Sequence, residues 1–160
     1  MQWDFKNHPH FSKPKDENGY LESMSKIVFS TGLNWGVVDK KWPDIKKAFA
    51  NFSIQKVSKF DTVTVKELLE DESIIRSEGK IKAIIKNALA IQEVEKEFGS
   101  FRNYIDQTKS QGIDILLKDL KLRFSYMGDS TSLMFLYGVG EQSAEFEKKM
   151  ISLHKKSGAT

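Results

Sequence analysis

The chain has 160 residues, 39% of them hydrophobic and 29% charged, a composition that suits one globular domain or a two-lobed domain with a shared core and excludes a disordered segment. No stretch reaches the roughly 18 consecutive apolar residues of a membrane span, and Met1 to His10 lacks the apolar centre of a secretory signal. With no cysteine, disulfides, thiol nucleophiles and thiolate metal sites are excluded, as fits a reducing cytoplasm, while a net charge of +3 permits phosphate binding without demanding it.

Helical spacing dominates, and no segment alternates with period two. Residues 1–18, with Pro9 and Pro14, read as an extended arm, and residues 19–157 as one domain. Asn18 is the expected cap of a helix with Tyr20, Leu21, Met24, Ile27 and Val28 on one face, ending near Gly32. A short helix from Asn34 is expected to stop before Trp42-Pro43, because proline disfavours helix in the residue preceding it. Pro43 then opens the next, with Ile45, Ala48 and Phe49. Ile54, Val57 and Phe60 mark another turn, and Thr64 to Glu67 has capping-box spacing. The clearest helix runs from Ser77 to Phe98, with Ile81, Ile84, Ile85, Ala88, Ile91 and Val94 in one stripe and Gly99 as the stop. Then come a helix with Phe101, Tyr104 and Ile105, a polar linker from Thr108 to Gly112, and a helix from Ile113 to Leu122. A break at Phe124 to Gly128 leads into a helix from Asp129 to Tyr137, and a last amphipathic helix carries Phe146, Met150 and Leu153. Eight to ten short helices without a sheet must bury their faces against one another.

Three segments carry chemistry. Trp35, after Gly32-Leu33-Asn34, reads either as a core anchor or as a ring that stacks on an extruded base. Arg76 and Lys80, at the start of the long helix, are solvated charges or backbone-phosphate contacts; a phosphate would offset the unfavourable placement of Lys80 near a helix N-terminus. Phe124 to Thr131 reads as two helices joined by a tight turn, where Gly128 admits a close approach. The free amides of the second helix, at Asp129, Ser130 and Thr131, would then face an anion. The alternative is an ordinary helix connection capped by Asp129 or Ser130.

In this order and spacing, Gly32-Leu33-Asn34-Trp35, Ile74-Ile75-Arg76 with Gly79-Lys80-Ile81 and Ile84-Ile85-Asn87-Ala88, and Phe124 through Gly128 resemble the 3-methyladenine DNA glycosylase I family of the helix–hairpin–helix superfamily. The resemblance spans roughly residues 20–141. It implies an all-α, bilobal helical bundle with a helix–hairpin–helix DNA-binding element. The implied function is a monofunctional base-excision repair glycosylase that flips a damaged, alkylated purine from double-stranded DNA and hydrolyses its N-glycosidic bond. Implied partners are damaged duplex DNA and no membrane, for a monomer in the cytoplasm at the nucleoid, without a cofactor.

Three departures accompany it. The family's pocket glutamate, eight residues before the tryptophan, falls on Ile27. The family's zinc cysteines are missing, and with His8, His10 and His154 as the only histidines no metal is expected. No lysine lies between Arg123 and Phe146, which disfavours Schiff-base lyase chemistry at that place. Glu141 is the candidate catalytic carboxylate and Glu22 a weaker one, with Phe29, Ile27 and Asn34 beside Trp35 in the base pocket. Tyr126 and Met127 at the hairpin tip are assigned to the sugar–phosphate backbone with Gly128, Asp129, Ser130, Arg76 and Lys80. A non-catalytic DNA-binding protein of the same fold and a helical protein-interaction domain stand as alternatives.

Overall fold

A computed structural model describes residues 13–141 and 143–156, apart from the side chains of His154 and Lys156. His8, His10 and most of the arm lie outside it. The described residues form nine α-helices, one 3-10 turn and no strand. In chain order they are α1 (Glu17–Ser30), α2 (Trp35–Ala48), the 3-10 turn (Ala50–Phe52), α3 (Ile54–Val57), α4 (Thr62–Glu70), α5 (Glu78–Phe98), α6 (Phe101–Lys109), α7 (Ile113–Arg123), α8 (Asp129–Gly138) and α9 (Ala144–Lys156). No described helix is long and apolar enough to cross a membrane.

α1 and α5 pack together and form the spine. The 3-10 turn, α2, α3 and α4 gather on one side of it, and α6 to α9 on the other, where α8 returns to α1. One continuous apolar core joins both groups. The stripe read from the sequence of α5 is that core: Ile81, Ile84, Ala88, Ile91 and Val94 are all fully enclosed. Ser77 caps α5, and Gly99, at φ +87°, ends it.

Two aromatic groups fill the halves. Trp42 stacks on Phe52 with ring centroids 5.2 Å apart, and Phe52 on Phe49 at 5.6 Å. Across the spine, Phe101 meets Tyr20 at 4.8 Å, Tyr104 at 5.4 Å and Phe135 at 5.8 Å. The first group overrides two local rules. Pro43 lies inside an unbroken α2, because Trp42 is held in helical conformation by its stack and by its indole N–H, which donates to Glu22. Ala50, Asn51 and Phe52 all have left-handed φ of 53–56°, a strained run that brings the Phe52 ring into the stack.

Helix starts also differ from expectation. Asp16, not Asn18, caps α1; Asn18 instead accepts the Ile54 amide and ties α1 to α3. α4 begins two residues before Thr64, with Asp61 as its cap. Thr108 belongs to α6 rather than to a linker.

Candidate functional site

The three segments singled out in the sequence meet around the first turn of α5. At the end of α1 the chain turns through Gly32, φ +75°, a conformation that suits glycine. Asn34 then accepts the Gly36 amide at 2.7 Å and caps α2, so Trp35 is the first helical residue. Its indole is half-buried against the core, while Leu33 and Val37 beside it are exposed.

Lys80 holds this loop from below. Its ammonium donates to the Phe29 carbonyl at 3.0 Å and the Thr31 carbonyl at 2.5 Å. A cation at the C-terminal end of α1 complements the helix dipole there. Burial pushes the pKa of this amine down from the ordinary lysine value. Lys80 is therefore bound to protein carbonyls and is not the phosphate contact expected from sequence. Arg76, four residues earlier, is exposed and forms no ion pair among the described residues.

One residue before Lys80, a Cβ placed on Gly79 would lie 3.0 Å from the Tyr126 hydroxyl, so the tyrosine lies across the start of α5. Tyr126 is 43% exposed and has a left-handed φ of 64°. The turn it belongs to is fastened on both sides. The Asn87 carboxamide accepts the Ser125 N–H at 2.7 Å and donates to the Ser125 carbonyl at 3.2 Å, and the Ser132 hydroxyl donates to the Met127 carbonyl at 2.9 Å.

Gly128 occupies the N-cap of α8, and no side chain caps that helix; neither Asp129 nor Ser130 folds back to do so. The first intrahelical bond runs from Ser132 to the Gly128 carbonyl, at 2.8 Å. The amides of Asp129, Ser130 and Thr131 thus have no partner among the described residues, and Asp129 and Ser130 are exposed. A Cβ on Gly128 would meet nothing within 4 Å, so the approach to these amides is open.

Other expected site residues are placed elsewhere. Met127 is 1% exposed and anchors the turn in the core, so it cannot touch a nucleic-acid strand as expected. Phe29 is enclosed against Trp42 and Phe49, and Ile27 is likewise in the core rather than on a pocket wall. Glu22 is engaged between the helices, accepting the Trp42 indole and pairing with Lys46 at 3.2 Å.

Glu141 is the largest correction. It lies just past α8, with its amide donating to the Leu136 carbonyl at the C-terminal end of that helix, opposite the open amides. Its carboxylate is 4% exposed and is paired with Arg102 and, at 2.6 Å, with Lys109. Arg102 in turn contacts Tyr20, near the N-terminal end of α1. Tyr20 to Thr31 along a helix rising 1.5 Å per residue is about 16 Å. Glu141 therefore sits far from Trp35, fully occupied in holding α6 against the end of α8.

The residues that sequence reasoning missed are Asn87 and Ser132. Asn87 did carry a signal, a polar side chain inside an apolar stripe, which must find a partner. Among the described residues no group of three or more His, Asp or Glu side chains could hold a metal ion. What the arrangement offers is a set of open amides for an anion, an exposed guanidinium and a half-buried indole.

A methyladenine glycosylase family model matches residues 7–140. The chain is 31% identical over 152 residues to DNA-3-methyladenine glycosylase 1 of Escherichia coli, covering 78% of this chain and 81% of that one. It is 28% identical over 150 residues to DNA-3-methyladenine glycosylase of Haemophilus influenzae, covering 81% of each. The 3-methyladenine DNA glycosylase I of Staphylococcus aureus has the same fold, with a TM-score of 0.74, 23% identity, and 88% and 85% of the two chains covered.

Proposed function

The chain belongs to the methyladenine glycosylase family, and from that premise we propose that it is a monofunctional DNA N-glycosylase of base-excision repair, one that rotates an alkylated purine out of duplex DNA and hydrolyses its N-glycosidic bond. The observation that carries this reading is the meeting of an indole loop and an uncapped helix N-terminus around one turn of α5.

In this reading the amides of Asp129, Ser130 and Thr131 bind a backbone phosphate, with Gly128 allowing it close. The negative charge of Asp129 opposes that contact, and the helix dipole and Arg76 favour it. Tyr126 lies along the sugar–phosphate chain. Trp35, with Asn34 shaping its loop, stacks on the extruded base. Stacking is worth about 1–3 kcal/mol per base, and the indole face attracts a cationic ring more than a neutral one.

N-alkylation gives the purine a positive charge and makes it a good leaving group. Water adds at C1′, the glycosidic electron pair leaves on the base and neutralises it, and the water's proton passes to solvent. Such a substrate needs no nearby general acid. The protein acts on duplex DNA as a monomer, in the cytoplasm at the nucleoid.

The enclosed Ile27 also favours a second reading, a DNA-binding protein of this fold without chemistry. Base release separates the two. Wild-type protein is expected to free 3-methyladenine from methylated duplex and to leave uracil-containing duplex intact. Trp35→Ala should slow single-turnover release about 5- to 150-fold, the equivalent of one lost stacking contact. Duplex binding with no base released from any lesion would establish the non-catalytic reading, and the absence of salt-sensitive duplex binding would overturn both.

A further inference from the structure

We propose that Asn87 is a positioning residue for the turn that grips DNA: its buried carboxamide fixes Ser125, and through it the array of open amides at the start of α8. This inference rests on the reading above that the turn binds a phosphate.

Asn87 is fully enclosed on α5, within the apolar run that includes Ile84, Ala88 and Ile91. Both of its polar atoms go to one residue, Ser125, which lies 38 positions away and just before the turn. A carboxamide presents a donor and an acceptor side by side, as a peptide edge does, so one side chain satisfies both groups of Ser125. Leucine would fill the same space and leave two half-buried backbone groups without a side-chain partner.

The three residues of the turn are held in different ways. Met127 is fixed by burial and by Ser132, which belongs to α8 itself. Tyr126 lies over Gly79, which leaves its ring space but makes no hydrogen bond to it. Ser125 is the point at which the turn is hydrogen-bonded to another helix, and that helix is the one whose first turn also carries the indole loop through Lys80. Helix amides bind an anion best when their directions are set before it arrives, because ordering them on binding subtracts from affinity. Asn87 sets them.

The test measures duplex affinity and single-turnover base release for wild type, Asn87→Ala and Asn87→Asp. In Asn87→Ala the vacated space admits water, which satisfies Ser125 without fixing it. Its affinity for undamaged duplex should fall at least about fivefold, with the loss appearing mainly in Kd rather than in the rate at saturating DNA. In Asn87→Asp the carboxylate still accepts from the Ser125 amide but faces the Ser125 carbonyl. Its affinity relative to wild type should be lowest at neutral pH and recover as the pH falls and the acid form regains a donor. A purely structural asparagine would lower the melting temperature of both variants and leave the Kd of the folded fraction and the ratio at the two pH values unchanged. That result, with wild type binding normally, overturns the inference alone. Wild type that does not bind duplex overturns both readings, and if Asn87→Asp does not fold, the Kd of Asn87→Ala decides.

Discussion

The two ends of α1 treat polar groups in opposite ways. Near Tyr20, charges neutralise one another around a buried carboxylate: Glu141 pairs with Arg102 and Lys109, Arg102 with Asp106, and Arg123 with Asp119 and Glu97. Near Thr31, Lys26 pairs with Asp39 and Lys82 with Glu78, but other polar groups are left without a counter-charge. The amides of α8 have no cap, Arg76 has no counter-ion among the described residues, and Lys80 is bound by carbonyls rather than by a carboxylate. A buried, multiply paired carboxylate is a brace, because its partners already use the interactions that a substrate would need. Groups whose interactions are unspent are the ones that the proposed reading gives to DNA.

The contrast can be broken in three places. Glu141→Gln should have the largest effect, on folding. Losing one member of a buried ion pair typically costs about 3–5 kcal/mol. Because Arg102 and Lys109 remain 29% and 33% exposed and can reach water, about 2–3 kcal/mol is expected here. Denaturant unfolding measures that loss, and base release by the folded variant should be unchanged; a folded protein with slowed release would move the chemistry to this end.

Gly128→Ala sharpens the other side. Gly128 has φ −68°, which any residue adopts, and open space where a Cβ would go, so the fold does not require glycine there. Alanine restricts the unfolded chain but caps a helix less well than glycine, so unfolding should change by less than about 1 kcal/mol. Duplex affinity should drop about tenfold, the equivalent of about 1.4 kcal/mol, because the methyl group stands where a phosphate must approach. An unaltered Kd in a titration would show that the strand is gripped elsewhere.

Lys80→Met gives the smallest effect. Burial holds the folded pKa of Lys80 below the ordinary lysine value. Between those two values the unfolded chain carries more of this proton than the folded one, so stability from this site rises with pH across that alkaline window. The variant should lose that slope, seen as a wild-type-minus-variant difference in unfolding free energy that grows as the pH rises toward the ordinary lysine value of 10.5. A difference independent of pH would mean that the amine is not shielded.

How much of this was legible depended on whether a feature was local. The α5 stripe, its Ser77 cap and its Gly99 stop were readable because periodicity and capping act within a few residues. Pro43 misled because the stack of Trp42 on Phe52 outweighs one lost helix bond. The open amides were legible from Gly128 and the turn around it. The placements of Lys80 and Glu141 were not, since the partners of Lys80 lie about 50 positions back and those of Glu141 over 30 back. Spacing after the turn suggested a carboxylate near the chemistry, and only the direction of α8 shows that it comes out at the far end. Asn87 announced a need for a partner without naming it.

Gly79 and Lys80 are adjacent on one turn of α5, the first beneath Tyr126 and the second beneath the loop of Trp35. No hinge intervenes, so in the proposed reading the strand grip and the base-stacking loop rest on neighbouring residues of one rigid helix. If the molecule works on DNA as proposed, it cannot stretch to meet an intact double helix. The duplex must do the yielding, and lesions that already soften their own stacking would be taken first.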